Sequence, residues 1–410
     1  MERPSGRDLT RSPGIRTERL TTLRLNGIRV GAIAVGAALA MTLSACGGGG
    51  GNSGSDDGVV IGFMGDLTGE NSGIVIPPRN GARLAIDEYN ATNPKVKITL
   101  KEYDSQGKGE QAVPLAKNAI TKDKIVGMIG PAFSGESQQV APVLEEGKIP
   151  SVSPSATNTA LGKNGWKYWH RIVGNDEVQG GGVGDFIVRA LEAKKVFVIH
   201  DNSEYGKPLG EKVEATAKSK GAATQIDAID PEGSDFSSTI NKVKAFSPDA
   251  IFFGGYYAEG GKLLKQLREA GVTARFLSGD GSLDKGLAEG AGEKNANGSI
   301  IACPCLIDPE GKTSQESKAF ADKYRAKFNA PPAIYSAEGY DAATAFIEAI
   351  KAGNTTAEEI NEFLSKVDVP GVSKQVKFLP TGEPAASEVY VYEVKGTTLP
   401  LIGKASEADV

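Results

Sequence analysis

Five short loops of this sequence share a composition of glycine, hydroxyl-bearing and aromatic residues. Each follows a short apolar run, and they span residues 130–135, 153–158, 200–206, 254–257 and 278–281. The last contains an acid, Asp280, between two glycines. None of the loops pairs a nucleophile with a base. They therefore favour hydrogen bonding to a small polar solute over covalent catalysis.

Motifs that would indicate an enzyme are not met. Ser134 lacks the Gly-x-Ser-x-Gly surroundings of a nucleophile elbow. The glycine-rich stretch 180–184 does not follow a strand in the dinucleotide-binding register. With only His170 and His200 in the chain, no set of metal ligands emerges. We predict no catalytic residue, no metal and no cofactor.

The elements that must position these loops alternate between short apolar runs and amphipathic segments. This alternation predicts βαβ units and a parallel sheet. Strands are predicted in two consecutive sets, at 59–64, 96–103, 125–130 and 149–152, then at 195–200, 223–229, 250–253 and 275–277. Two such sets predict two similar lobes. Ligands of open parallel sheets bind beyond the carboxyl ends of the strands, where the five loops lie.

The last hundred residues have a different pattern. Helices are predicted at 314–328 and 336–351, and alternating strands of antiparallel type at 375–378 and 389–394. Nothing in this pattern requires a third domain. The tail can return to complete both lobes.

The N-terminus has the features of an export signal. Seven arginines precede an apolar run at 30–43, too short to span a bilayer. The run ends in Leu43-Ser44-Ala45-Cys46, which looks like the lipobox of bacterial lipoproteins. We predict a lipoprotein signal peptide at 1–45, lipidation of Cys46 and a flexible Gly/Ser tether at 46–57. The alternatives are a transmembrane anchor and an ordinary signal peptide with a chance cysteine.

Charge and cysteine content narrow the range of partners. The formal net charge is -5, and removal of the arginine-rich signal makes the remaining chain more acidic. An acidic body without basic blocks argues against a nucleic-acid partner. Beyond Cys46 the only cysteines are Cys303 and Cys305. They are interpreted as packed or locally bridged thiols without a catalytic role.

Taken in this order and at these spacings, the five loops resemble those of the branched-chain-amino-acid-binding family of type I periplasmic binding proteins, the receptors of ABC importers. Tyr103-Asp104 and the run 235–237 agree as well, and the likeness covers residues 59–394. It implies an α/β fold of two Rossmann-like lobes with parallel sheets, joined by a three-strand hinge. The implied N-terminal lobe comprises 58–174 and 306–373, and the C-terminal lobe 175–305 and 374–404.

The resemblance also implies roles for particular residues. The carboxylate of a bound amino acid would contact Ser134, Ser155 and Thr157. Its ammonium would contact Asp280, with help from Tyr256, and Tyr205 would cover its side chain. Elementary chemistry agrees, because a zwitterion needs hydrogen-bond donors at one end and a negative acceptor at the other.

Two departures from the family pattern bear on specificity. Its best-known members carry a first-lobe disulfide, whereas the counterparts here, near Ser105 and at Phe133, are not cysteines. Ser72-Gly73 replaces a frequent aromatic, which puts a preference for aliphatic side chains in doubt. We expect an extracytoplasmic, membrane-anchored monomer that delivers its solute to an ABC permease. A ligand-sensing role and a receptor for amides, urea or another small polar solute stay open.

Overall fold

The structure, a computed structural model, describes residues 58–409. The predicted signal peptide, the tether and Cys46 lie outside these residues. Within the described part of the chain, no helix is long and apolar enough to cross a bilayer, and no group of three or more potential metal ligands is present.

A five-stranded parallel sheet forms the centre of the first lobe. Its strand order is β2-β1-β3-β4-β5, and every pairing is parallel. Its elements along the chain are β1 (Val59–Gly65), α1 (Ile76–Ala91), β2 (Ile98–Asp104), α2 (Gly109–Thr121), β3 (Gly127–Ile129), α3 (Ser134–Glu146), β4 (Ser151–Ser153) and β5 (Trp169–Arg171).

A seven-stranded sheet forms the second lobe, in the order β14-β13-β10-β9-β8-β6-β7. Its strands β6 to β10 pair in parallel. The consecutive elements are α4 (Asp176–Arg189), β6 (Lys195–His200), α5 (Gly206–Ser219), β7 (Ala223–Ala228), α6 (Ser237–Phe246), β8 (Ala250–Gly254), α7 (Tyr257–Glu269), β9 (Arg275–Ser278), α8 (Lys285–Ala291), α9 (Glu293–Ala296) and β10 (Ile300–Cys303).

The tail contributes to both lobes, as its pattern allowed. Helices α10 (Gln315–Phe328) and α11 (Ser336–Lys351) pack on α1, and α12 (Ala357–Leu364) packs on α11. The hairpin β11 (Asp368–Pro370) and β12 (Gln375–Lys377) follows. Strands β13 (Tyr390–Glu393) and β14 (Leu401–Lys404) then join the second sheet in antiparallel pairings, which confirms the predicted strand type.

Close packing of α1 on α11 depends on two glycines. A Cβ atom at Gly81 would lie 2.0 Å from the carbonyl oxygen of Ser336, and one at Gly339 would lie 2.0 Å from that of Pro78. Any side chain at either position would push the helices apart. This contact fixes the start of α11. It thereby positions the preceding residue, Tyr335, which reaches the cleft.

The chain passes between the two lobes three times, after β5, after β10 and after β12. At the second passage a disulfide joins Cys303 to Cys305, so these thiols are bridged. The hydroxyl of Tyr392 donates to the Cys305 carbonyl at 3.0 Å and accepts from the Ile307 amide at 2.8 Å. The lobe boundaries given above remain predictions.

Candidate functional site

A small, nearly closed cavity lies between the carboxyl ends of the two sheets. Five of the six residues predicted to bind a ligand line it, three from the second lobe and two from the first. The second lobe supplies Tyr205 after β6, Tyr256 before α7 and Asp280 after β9. The first lobe supplies Ser134 and Ser155, together with residues not predicted, Ile74, Ala132, Phe133 and Tyr335.

Among the described residues that line the cavity, Asp280 is the only acidic or basic one. It is 4 % exposed, and three neutral groups donate to its carboxyl. Tyr205 Oη and Gln179 Nε2 donate to Oδ1 at 2.8 and 2.6 Å, and Tyr335 Oη donates to Oδ2 at 2.6 Å. Burial raises the pKa of Asp280, and the three hydrogen bonds oppose that rise. The result is a fixed acidic group with capacity for a further donor at Oδ2.

The two predicted tyrosines act differently. The hydroxyl of Tyr205 donates its hydrogen to Asp280 and accepts from the Gly281 amide at 2.9 Å. Burial raises its pKa well above the usual value, so it remains a neutral donor. The ring of Tyr256 lies between two others, with centroids 5.1 Å from Tyr205 and 4.8 Å from Phe133. Since Phe133 belongs to the first lobe, this aromatic stack spans the cleft.

The hydroxyls of Ser134 and Ser155 differ in whether their hydrogen is available to a ligand. Ser155 Oγ donates to the Ala132 carbonyl at 2.8 Å, so its hydrogen is committed within the protein. Ser134 is the first residue of α3, and its Oγ accepts from the Asn158 amide at 3.1 Å. Its own hydrogen has no acceptor among the described residues. Ser134 is therefore the hydroxyl best able to donate to a ligand.

Thr157 does not belong to the cavity lining. The residue is fully buried, and its carbonyl accepts from the Asp176 amide at 2.8 Å. Its hydroxyl has no hydrogen-bond partner in the described chain. Its predicted role in ligand binding stays a prediction.

Comparison with known proteins shows where this architecture belongs. The periplasmic binding protein family model matches residues 58–398. The chain belongs to this family. An amino acid binding protein of Pseudomonas aeruginosa is 31 % identical over 343 residues, which cover 82 % of this chain and 90 % of the relative.

Solved structures show the same fold. A leucine binding protein, LivK, of Thermotoga maritima has a TM-score of 0.78 and 27 % identity, covering 84 % of this chain and 98 % of its own. The branched-chain amino acid transporter substrate binding protein LivJ of Streptococcus pneumoniae, in complex with isoleucine, has a TM-score of 0.76 and 26 % identity, covering 84 % and 99 %.

These matches confirm the resemblance inferred from the loops and the two-lobed α/β fold expected from it. This periplasmic binding protein is a solute-binding protein and not an enzyme. Family membership also places it outside the cytoplasm.

Two residues that donate hydrogen bonds to Asp280, Tyr335 and Gln179, were not predicted from the sequence. Tyr335 immediately precedes α11 and has a left-handed backbone, with φ of 57°, which is rare for a bulky residue. Gln179 lies on α4 and is fully buried. Neither follows a strand, so the rule that located the other residues does not apply to them. An aromatic residue directly before a predicted helix was the available signal for Tyr335.

The loop that contains Ser72-Gly73 lies beside the cavity. Ile74 follows this pair and lines the cavity. Together with Phe133 and Ala132 it makes the first-lobe wall largely apolar. The two lobes contact each other around this wall, where the Gly73 amide donates to Tyr257 Oη at 3.0 Å.

Proposed function

We propose that this periplasmic binding protein captures a small aliphatic amino acid, branched-chain or related, and delivers it to the permease of an ABC importer. The observation that carries the proposal is the buried carboxyl of Asp280 at the cavity, facing a first-lobe wall of hydroxyls and apolar groups. Such a site has an acceptor for an ammonium at one end and donors for a carboxylate at the other.

In this proposal each lining residue has a role. Asp280 Oδ2 accepts from the ligand's ammonium, and Tyr256 covers that end of the ligand. Ser134 donates to the carboxylate, with Ser155 beside it, and the N-terminus of α3 adds a favourable potential. Thr157 is a further candidate for this end. Tyr205 supports the acid, and Ile74 with Phe133 contacts the side chain.

Relatives support this ligand class. The Pseudomonas protein is named for amino acid binding, and LivJ holds isoleucine. Because Ser134, Tyr205 and Asp280 are only 2–4 % exposed in the closed cleft, we expect an affinity in the micromolar range or better.

The test is a thermal-shift screen of the protein without its first 46 residues, against the standard amino acids, acetamide, urea and glucose. Ligand at 100 times Kd adds about 2.7 kcal/mol, so we expect leucine, isoleucine or valine to raise Tm by about 5 °C. Calorimetry then measures Kd. Stabilisation by acetamide or urea alone would contradict the ammonium assignment, and a response to none of these would favour the sensing role.

We further propose that the mature chain begins at lipidated Cys46, is tethered by residues 46–57 and acts as a monomer. The support is the lipobox-like sequence and the need of the lobes to open and close freely. Cys46→Ser should move the protein from the membrane fraction to the soluble fraction. Continued membrane association of this variant would argue against the anchor.

A further inference from the structure

A second buried acid lies beside Asp280, outside the cavity lining. Asp176 is the first residue of α4 and is 2 % exposed. Its backbone amide donates to the Thr157 carbonyl, which ties the start of the second lobe to a first-lobe loop. Its Oδ2 atom has no hydrogen-bond partner among residues 58–409. A buried carboxyl with a bare oxygen requires an explanation.

One amide group joins the two acids. Gln179 Nε2 donates to Asp176 Oδ1 at 3.1 Å and to Asp280 Oδ1 at 2.6 Å. Gln179 Oε1 accepts from the Asp280 amide at 3.1 Å. The side chain thus uses both amide hydrogens and its oxygen, and it holds Asp280 at two points. Gln179 is a positioning residue for the ligand-binding acid.

Among residues 58–409, no cation donates a hydrogen bond to either acid, although the charge of Arg171 partly opposes the rise in the pKa of Asp176. The nearest base is Arg171, and its guanidinium is committed to Glu383 and to the carbonyls of Ala156 and Asn158. The other groups facing the pair are the neutral hydroxyls of Tyr205, Tyr335 and Thr157, and the Thr157 hydroxyl lies next to Asp176. On α4 itself, the neighbouring Glu177 is paired with Lys212 at the surface.

Two buried carboxyls this close do not both ionise readily without a cation. Burial, followed by the charge of Asp280, raises the pKa of Asp176 to about 8. Asp176 therefore holds a proton at neutral pH. An ammonium arriving at Asp280 supplies the missing positive charge and favours the ionised form of both acids.

We propose that ligand capture releases the proton of Asp176. The protonated Asp176 and the free ammonium ligand become an Asp176 carboxylate, a bound ligand and one proton given to solvent. No other bond forms or breaks. This inference rests on the proposed function, because it requires a cationic group at Asp280. Since the bound state holds fewer protons, affinity rises with pH until Asp176 is ionised in the free protein as well.

The experiment is calorimetric titration of the purified protein with L-isoleucine at pH 6, 7 and 8, in buffers of different ionisation enthalpy. We expect a gain in affinity of about tenfold or more from pH 6 to pH 8 and release of nearly one proton at pH 7. Asp176→Asn should bind isoleucine with no such pH dependence. Asp185→Asn, on the exposed side of the same helix, should behave as wild type. An unchanged pH dependence in Asp176→Asn would overturn the inference.

Gln179→Met tests the positioning role separately, because it removes the amide while keeping the side-chain length. We expect about tenfold weaker isoleucine binding at every pH, with the pH dependence retained because the two acids still repel. Wild-type affinity in this variant would overturn the positioning role.

If the wild-type protein binds none of leucine, isoleucine and valine, the proposed function fails, and the proton on Asp176 is then tested without ligand. The raised pKa means that folded protein binds a proton that unfolded protein lacks between about pH 4 and pH 8. As the pH rises through this window, the free energy of unfolding of the wild type should fall relative to that of Asp176→Asn. Urea unfolding at pH 5 and pH 8 measures this difference. A stability difference that is the same at both pH values would overturn the inference.

Discussion

The two walls of the cleft are built on the same plan but offer opposite chemistry. In both lobes most of the lining residues follow parallel strands, in agreement with the strand-end rule. The first-lobe wall is neutral, with apolar groups and the hydroxyls of Ser134 and Ser155. The second-lobe wall centres on Asp280, with Asp176 behind it. A common scaffold therefore leaves the polarity of the site to a few loop residues, and that polarity orients the ligand.

The walls also differ in how their polar groups are supported. The second-lobe acid is held by three side-chain donors, one of them from the first lobe. The first-lobe loop at 155–158 is held from behind by Arg171, which donates to the carbonyls of Ala156 and Asn158 at 2.8 and 3.0 Å. Arg171 is fully buried and pairs with Glu383. Each wall thus relies on buried groups that do not line the cavity.

The largest expected effect comes from removing the support of the neutral wall. Arg171→Met leaves Glu383 and two carbonyls without their partner, and we expect a loss of about 3 kcal/mol in the free energy of unfolding. Urea denaturation measures it. Lys366→Met, in the exposed pair with Glu362, is the control and should cost less than about 1 kcal/mol. Equal losses would show that the buried network does not support this wall.

Next comes the acid of the opposite wall. Asp280→Asn removes the negative charge while keeping the shape, and we expect amino-acid affinity to fall by about 100-fold, since a charge-assisted hydrogen bond contributes about 1.5–3 kcal/mol. Calorimetry with isoleucine is the measurement. Asp227→Asn, on the surface of the same lobe, should leave affinity unchanged. Retained affinity in Asp280→Asn would remove the chemical contrast between the walls.

A smaller effect separates the two hydroxyls. Ser134→Ala should weaken binding by about tenfold, because its hydrogen is available to the ligand carboxylate. Ser155→Ala should weaken binding by about threefold or less, because its hydrogen is committed to Ala132. The same calorimetric assay compares them. The reverse order would assign the donor role to Ser155.

The smallest effect is expected at the rim of the cleft. Lys262 of the second lobe lies 3.7 Å from Glu70 of the first, and both side chains are largely exposed. Lys262→Ala should change affinity by about twofold or less, because solvent screens an exposed pair. A loss comparable to that of Asp280→Asn would show that closure depends on the rim as much as on the buried walls.

Much of the fold could be predicted because its signals are local. The buried strands of a doubly covered sheet are continuous apolar runs, and β6 and β8 were located from such runs within a residue or two. The strand-end rule located the loops that contain five lining residues, and the resemblance to the family singled out those residues. Thr157 does not line the cavity, because its loop contacts the start of α4, where its carbonyl accepts from the Asp176 amide; its role in binding stays a prediction.

Periodicity and turn residues act over a few positions, so local patterns were enough to predict the two lobes, the order of their elements and the loops at the cleft. Which groups meet at Asp280 depends instead on long-range packing. Gln179 is 101 residues away and Tyr335 is 55 residues away along the chain. Their hydrogen bonds depend on helix packing and on the passage of the chain between lobes, which bring distant segments together without a local pattern in either.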